Sequence, residues 1–427
     1  FPMNILSQQE NKFTNFLNQS INQGKIITRL CLIKALENKD REIGANRDIN
    51  RFSIIRISQR TIITSIGKIT FKRRYYYDNY NDSYIYLLDA FMSIPKYKRL
   101  SNELELKILN NLALLSYSKA AKHACDESYI VSPTTVANVL NRVDFSPKYK
   151  EFDKCNKIFI QIDEKYINLY NCRNKKPFFT ATIFTSKLKL YATENYQRYE
   201  LANRTILLSP SKDELYKKIN SLLINNYKLS KDTEVIVSGD FARYIRNSKE
   251  KILAENIIYI PDFFHVQQYA KKLLGEKLSY DIINSLESVN NIINQLRMMH
   301  KAEKEDKYKR TKIYTLKSIL LNYQNEMKYW FNDDYPGCSQ EAINSHYASP
   351  RLAKLPMSIS KESLKKMLIL MEADANKIDL VVDLKNKEST ISEIKDFSIL
   401  DYKEKHYIDV TSYNHAFREV LTNIMRG

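Results

Sequence analysis

Apolar segments that carry an aspartate dominate the middle of this chain. Residues 234–240 form a short apolar run that ends on Asp240, and residues 257–262 repeat this form and end on Asp262. A third apolar run, residues 158–169, has Asp163 embedded in it. Continuous apolar runs of this length that alternate with helical patterns predict buried strands in an α/β sheet. Because ligand sites of such sheets lie at the carboxyl ends of the strands, the sequence predicts a functional site there.

Asp163 and Asp240 have the chemistry needed for phosphoryl transfer by two metal ions, because Mg²⁺ prefers hard oxygen ligands. Asp163 lies in a strand that otherwise has a core pattern, where an unpaired charge costs several kcal/mol, so we expect a metal or a partner. A buried ion pair is the alternative. Glu164 falls on the opposite face, since side chains alternate along a strand. For Asp240, the alternative is a solvated aspartate that caps a helix beginning at Phe241.

Asp262 and His265 are separated by one helical turn at the start of the next helical pattern. This spacing lets them meet and orient a phosphate or a ligand carboxylate. A capping aspartate beside a buried histidine has the same spacing. No second His or Cys at ligand spacing supports a zinc site.

Glu341 is the third expected metal ligand. It follows the turn at residues 335–339 and begins a helical pattern, with Ser345 and His346 four and five residues further on. Helical glutamates are numerous, so its position alone does not single it out.

The patterns divide the chain into seven regions. These are an N-terminal helical region (1–50), a basic β-hairpin region (51–100), a helix-turn-helix region (101–150), the first part of an α/β core (151–262), a helical insertion (263–335), the Glu341-bearing part of the core (336–375) and a C-terminal tail (376–427).

The hairpin region turns at Gly67, and its second strand ends in a basic and aromatic run that includes Lys72, Arg73 and Arg74. Cationic residues followed by tyrosines suit phosphate contacts with base or sugar stacking. A solvated edge strand protected by charge would have the same sequence. Both interpretations remain open at this point.

Two helical patterns, residues 116–125 and 133–142, form a helix-turn-helix candidate. The residues expected to reach DNA are Thr134, Thr135, Asn138 and Arg142. A structural helix pair is the alternative. Residues 51–150 contain 16 Lys or Arg against 8 Asp or Glu, which favours the DNA-binding interpretation.

The whole chain has a formal net charge of +18, which favours a polyanionic partner. Abundant Lys, Asn, Ile and Tyr also fit an A/T-rich genome, so part of this charge has a second explanation. No apolar run approaches the roughly 20 residues of a membrane span, and neither a secretory signal nor paired cysteines are found. We therefore expect a cytoplasmic protein with reduced cysteines and no membrane partner.

The sequence resembles the ISLre-type insertion-sequence transposases, which are related to the Mutator-like group. The resemblance is carried by residues 60–64, 71–76, 161–164, 238–240, 262–265, 337–341 and 345–346. It implies an α/β (α+β) RNase H-like catalytic core with an all-α insertion, and a DDE triad of Asp163, Asp240 and Glu341. Asp262 and His265 would match the D-x-x-H signature. Two positions depart from the family pattern: Phe241 stands where a glycine is expected, and residues 354–356 (Lys-Leu-Pro) replace an expected arginine-proline.

We accordingly expect a transposase that cleaves double-stranded DNA at element ends and joins the 3′-hydroxyls to target DNA. The triad would hold two Mg²⁺ ions, with Mn²⁺ as a substitute, and His346 would assist beside Glu341. A homodimer or larger assembly would hold two ends together. Two alternatives are an inactive DNA-binding regulator and a metal-dependent nuclease without strand transfer.

Overall fold

The computed structural model describes residues 12–126, 129–193, 196–274, 286–332, 335–337, 339–352 and 359–384. The chain forms two compact units, one of Phe1–Val143 with Leu384–Gly427 and one of Asp144–Asp383. Cys338, residues 354–356 and most of the predicted tail lie outside the described residues.

The first unit combines helices with a three-stranded antiparallel sheet in the order β1-β2-β3. Its elements are α1 (Lys12–Asn46), β1 (Phe52–Thr64), β2 (Gly67–Asp78), β3 (Ser83–Ile85), α2 (Leu87–Phe91), α3 (Asn102–Leu112), α4 (Tyr117–Ala124) and α5 (Pro133–Arg142). Gly67, with φ +110°, supplies the turn between β1 and β2.

The core of the first unit forms around β2, which is the central strand of its sheet. Leu36 and Ile43 of α1 pack with Phe71 and Tyr76 of β2, and Leu88 of α2 joins the same buried cluster. The predicted hairpin is therefore present. β3 pairs with residues 76–78 of β2, so the basic run at residues 72–74 has a strand neighbour only in β1 among the described residues. Its outer N–H groups, those of Lys72 and Arg74, are bonded by Glu37 and Asp40 of α1, so this edge is covered by α1.

The second unit contains the central sheet of the molecule. Its strands and helices are β4 (Val143–Pro147), β5 (Lys157–Ile167), β6 (Lys176–Phe184), β7 (Ser186–Thr193), β8 (Tyr196–Ala202), β9 (Thr205–Ser209), α6 (Lys212–Asn225), β10 (Glu234–Gly239), α7 (Arg243–Arg246), β11 (Asn256–Pro261), α8 (Phe263–Leu274), α9 (Leu286–Ala302), α10 (Lys307–Asn322), α11 (Gln340–Ile343), α12 (Ser349–Leu352), α13 (Lys361–Asn376) and β12 (Leu380–Leu384). A π-helical turn, Asn344–Ala348, joins α11 to α12.

Five strands form this central sheet in the order β11-β10-β5-β6-β9. β10 is parallel to both β5 and β11, whereas β6 is antiparallel to β5 and β9. The predicted mixed α/β class is confirmed. A separate two-stranded sheet is formed by β4 and β12.

Both faces of the central sheet are covered. On β5, Ile158, Ile160 and Ile162 face a cluster that includes Ile219 of α6. Phe159 faces the opposite way, into a cluster built with helices α8, α9 and α10 and with Trp330. This alternation with a period of two explains why β5 reads as continuously apolar. It also assigns Asp163 to the face of Phe159.

The described part of residues 263–335 contains helices and no strand. None of the described helices is long and apolar enough to cross a membrane.

Candidate active site

Strand register brings three aspartates to one end of the central sheet. Gly239 of β10 is paired with Ile162 of β5 on one side and with Pro261 of β11 on the other. The next residue on each chain segment is an aspartate, so Asp163, Asp240 and Asp262 occupy the following row. Neighbouring strands lie about 4.8 Å apart, which sets the spacing of this row. We call these three residues the aspartate row.

Gly239 is required where the row forms. A Cβ atom on Gly239 would lie 2.5 Å from the Ile162 carbonyl oxygen and 3.0 Å from the Ile245 side chain. Such contacts are too close for any side chain. The absence of a side chain therefore lets the chain segment of Asp240 approach the backbone beside Asp163.

Asp163 is 5% exposed and is held by three groups. Its Oδ1 accepts a hydrogen bond from the Glu164 backbone N–H at 2.8 Å. Its Oδ2 accepts one from Asn344 Nδ2 at 2.7 Å and lies 3.2 Å from Lys165 Nζ. The ion pair that the sequence left open as an alternative is thus present. Glu164 instead accepts a hydrogen bond from the Tyr166 hydroxyl.

Asp240 follows β10 directly, and its Oδ1 accepts a hydrogen bond from the Ala242 backbone N–H at 2.9 Å. The aspartate therefore stabilises the local turn, but the predicted helix cap is wrong, because α7 begins at Arg243 and has no side-chain cap. Burial raises the pKa of Asp240, and the charges of Asp163 and Asp262 raise it further. The Ala242 hydrogen bond and His265 act in the opposite direction. These mutual influences place the three carboxylates within electrostatic reach of one another.

Asp262 and His265 meet at the start of α8, as the sequence predicted. Asp262 Oδ1 accepts a hydrogen bond from the Phe264 N–H, and Oδ2 lies 2.9 Å from His265 Nδ1. The bond to Asp262 raises the pKa of His265, and the charges of Asp163 and Asp240 act in the same direction. A positive imidazolium is therefore favoured beside the aspartate row.

A buried polar network attaches α11 to the central sheet. Gln340 Oε1 accepts a hydrogen bond from Thr182 Oγ1 at 2.6 Å, and Gln340 Nε2 donates to Thr180 Oγ1 at 2.7 Å. Gln161 Nε2 donates to the Gly337 carbonyl, and Gln161 Oε1 accepts from Ser339. Buried amides need such partners, so the network fixes α11 against β5 and β6.

Glu341 is exposed at the start of α11. It is one helical turn before Asn344, whose side chain bonds Asp163, and residues three apart on a helix are about 5–6 Å apart at Cβ. His346 is also exposed, in the π-helical turn. Among the described residues, no group of three or more His, Cys, Asp or Glu side chains is arranged to hold a metal ion.

Sequence reasoning missed the residues that position the acids. No functional role was predicted for Lys165, Asn344, Gln161 or Gln340, although Gln161 and Gln340 lie in the motifs that carry the family resemblance. The available signal was the polar pair Gln161 and Asp163 on one face of an apolar strand. Two polar residues at alternate positions indicate a polar partner on that face.

The basic residues predicted to bind DNA are mostly ion-paired within the first unit. Arg73 is 5% exposed and pairs with Asp89, so the prediction that it contacts a phosphate is wrong for this conformation. Arg74 pairs with Asp40, and Arg142 pairs with the buried Glu105. These three guanidinium groups are engaged by carboxylates of their own unit.

The remaining predicted DNA contacts are more accessible. Lys72 is exposed, as are Thr134 and Asn138 on α5, while Thr135 is half-buried and bonds the N-cap Ser132. The connection between α4 and α5 is longer than the turn of about three or four residues found in helix-turn-helix motifs.

The other side of β2 presents stacked tyrosines beside an exposed arginine. Tyr75 lies 5.4 Å from Tyr84 and 4.5 Å from Tyr86, measured between ring centroids. The Arg56 guanidinium lies 5.1 Å from the Tyr75 centroid. We call these four residues the tyrosine face. Tyr84 is exposed, whereas Tyr75 and Tyr86 are half-buried. Aromatic rings with a cation beside them suit stacking against bases or sugars.

The chain belongs to the family described as uncharacterised protein family UPF0236, whose model matches residues 7–388. Two UPF0236 proteins of Caldanaerobacter subterraneus subsp. tengcongensis are each 25% identical over 88% of this chain. The alignments cover 83% of each relative. The name of the first relative includes eleven locus designations, and the name of the second includes four.

Proposed function

We propose that this protein is a DDE transposase that binds insertion-sequence ends, cleaves DNA phosphodiesters and joins the 3′-hydroxyl ends to target DNA. The aspartate row is the observation that carries the proposal. Asp163 and Asp240 lie side by side at the ends of adjacent parallel strands, and two such carboxylates suit the binding of Mg²⁺ together with substrate phosphates.

The attachment of α11 supports Glu341 as the third acid. Gln340 and Asn344 bind the central sheet on either side of Glu341 in sequence, and Asn344 contacts Asp163 directly. Glu341 is thereby kept within a helical turn of the row while remaining free of the network.

The names of the relatives also support a mobile element. A protein whose name joins eleven loci of one genome is encoded by a repeated gene. Repeated genes within one genome are expected when an element copies or moves itself. Enzymes of ordinary metabolism give no reason for such multiplicity.

Asp163, Asp240 and Glu341 would hold the magnesium ions, because their oxygens match its ligand preference. When bound, Mg²⁺ supplies charge neutralisation at the phosphate and lowers the pKa of the attacking oxygen. The protein holds the acids: Gly239 sets the approach of Asp240, and Asn344 fixes Asp163. His265, positioned by Asp262, supplies a proton or a positive charge beside the row.

DNA binding in this proposal falls to exposed groups of the first unit. Thr134 and Asn138 lie on the accessible side of α5, and Lys72 and the tyrosine face are accessible on the hairpin. The proposal includes α4 and α5 as a helix-turn-helix variant with a long connection. It also includes a homodimer or larger assembly, since two element ends must be joined together.

An inactive DNA-binding regulator is the second candidate. It is favoured by the absence, among the described residues, of a group of three side chains arranged to hold a metal. In a regulator, the aspartate row would be retained only as a set of turn-forming and ion-paired residues.

A strand-cleavage assay separates these functions. Purified protein is incubated with DNA that carries the gene and its flanking sequence, with Mg²⁺ or Mn²⁺. We expect nicks at the element ends with wild type and with Asp213→Asn, an α6 control, and none with Asp163→Asn. Binding without nicking by wild type would establish the regulator. Nicking without joining of pre-cut ends to target DNA would establish a nuclease.

A further inference from the structure

We propose that the ammonium group of Lys165 neutralises Asp163 while no metal ion is bound. Once Mg²⁺ displaces it, we propose that Lys165 contacts the DNA phosphate. The inference rests on the proposed function and assigns a role to a residue that no part of that proposal uses. It concerns one ammonium group at the edge of the aspartate row.

The position of Lys165 follows from the strand. Side chains two residues apart on a strand point to the same face, so Lys165 lies beside Asp163. Lys165 Nζ is 3.2 Å from Asp163 Oδ2, and its side chain is 30% exposed against 7% for Asp163. The ammonium therefore reaches the buried carboxylate from the solvent side, where an ion would enter.

The charge balance of the row explains why a cation is needed. Asp163, Asp240 and Asp262 contribute three carboxylates, two of which are nearly fully buried. His265 pairs with Asp262, which leaves Lys165 as the cation bonded to Asp163. Buried carboxylates without a counter-charge are costly, so Lys165 stabilises the metal-free protein.

Displacement follows from the shared carboxylate. Asp163 Oδ2 already accepts a hydrogen bond from Asn344, and Oδ1 accepts one from the Glu164 N–H. A divalent cation that binds either oxygen of Asp163 would repel the nearby ammonium of Lys165. Asn344 is 1% exposed and fixed by the α11 network, whereas lysine has a flexible stem that lets its ammonium move. Lys165 is the group that leaves.

A displaced Lys165 remains at the end of the sheet and on the face of the acids. Its ammonium would then lie beside a DNA phosphate bound at these acids, where a point charge would stabilise the anionic oxygens. Lys165 would thus stabilise the metal-free site in one side-chain position and the site with bound metal and DNA in another.

Trp330 provides a readout of metal binding that does not depend on cleavage. It is the only tryptophan of the chain, and its Nε1 donates a hydrogen bond of 2.9 Å to the Pro261 carbonyl, next to Asp262. Its fluorescence is followed during Mg²⁺ titration of wild type, Lys165→Met, Lys165→Arg and the control Lys157→Met. Lys157 lies at the opposite end of β5 and pairs with Glu234.

We expect Lys165→Met to lower the Mg²⁺ midpoint at least about threefold, because the competing cation is gone, and to reduce cleavage at saturating Mg²⁺ about tenfold or more. Lys165→Arg and Lys157→Met should keep the wild-type midpoint. An unchanged or higher midpoint for Lys165→Met would overturn the displacement, and a lower midpoint with wild-type cleavage would overturn the phosphate contact. No Mg²⁺ response in wild type would instead remove the metal site of the proposed function itself. Circular dichroism of each variant checks its fold.

Discussion

The two units treat their charged residues in opposite ways. In the first unit, the predicted DNA-binding arginines Arg73, Arg74 and Arg142 each pair with a carboxylate of the same unit. In the second unit, Asp163, Asp240 and Asp262 gather at one end of the central sheet. Lys165 is bonded to Asp163 and His265 to Asp262.

The difference shows that a run of charged residues in the sequence does not establish that their side chains are free to bind a ligand. The basic run on β2 looks like a phosphate-binding site in the sequence, yet Arg73 and Arg74 stabilise the packing of α2 and α1 on the sheet. The three acids of the aspartate row lie side by side, and the charges of Asp163 and Asp262 raise the pKa of Asp240. They are the stronger indication of a ligand.

Glu105→Gln tests the paired side of this comparison and should have the largest effect on folding. Glu105 is fully buried and pairs with both Lys98 and Arg142. Because its removal leaves two cations without a partner, we expect a loss of about 3 kcal/mol in the free energy of unfolding. Denaturant unfolding measures it, with the exposed Glu103→Gln on the same helix as control. A loss below about 1 kcal/mol would show that the pairs contribute little.

Substitutions at two neighbouring residues of α11 should distinguish the attachment of this helix to the central sheet from DNA cleavage. Gln340→Leu removes the hydrogen bonds to Thr180 and Thr182, so we expect a loss of about 1–3 kcal/mol in stability. Glu341→Gln changes an exposed residue and should stay within about 0.5 kcal/mol, while Mg²⁺-dependent cleavage is lost. Thermal unfolding and the strand-cleavage assay measure the two effects. Equal destabilisation by both variants would contradict this division.

Asp240→Asn tests the unpaired side of the comparison and should have the opposite sign. The pKa of Asp240 is raised in the folded protein, chiefly by burial. Ionised Asp240 therefore costs stability at neutral pH, and this cost disappears as the pH falls through the folded pKa. We expect the asparagine variant to be more stable than wild type at pH 7, with the difference vanishing in acid. Denaturant unfolding at several pH values measures it, with Asp213→Asn as control. A variant less stable than wild type at pH 7 would show that the Ala242 hydrogen bond outweighs burial.

Asn138→Ala should have the smallest effect on folding. Asn138 is exposed on α5, so we expect stability within about 0.5 kcal/mol of wild type. If α5 reads base edges, affinity for element-end DNA should fall about tenfold or more. Electrophoretic mobility shifts measure the affinity, and Asn225→Ala at the end of α6 is the control. Unchanged affinity would assign α5 to structure alone.

Local patterns were sufficient to predict the hairpin and strands β5, β10 and β11, but they did not indicate β4, β8, β9 or β12. The apolar run around Asp163, the glycine at position 67 and the N-cap Ser132 each act over a few residues, so the sequence reveals them. The pairing of Asp262 with His265 was predictable for the same reason, since one helical turn separates them. Such effects depend on spacing alone.

The sequence by itself determined that acids stand at or near the ends of apolar strands, because side-chain alternation and burial are properties of a local segment. Only the tertiary structure decided that Asp163, Asp240 and Asp262 share one row, that Asn344 holds Asp163 and that Arg73 is buried. These outcomes depend on strand order, register and contacts between residues far apart in the chain. No periodicity in a sequence encodes which distant carboxylate or amide will stand opposite a given charge.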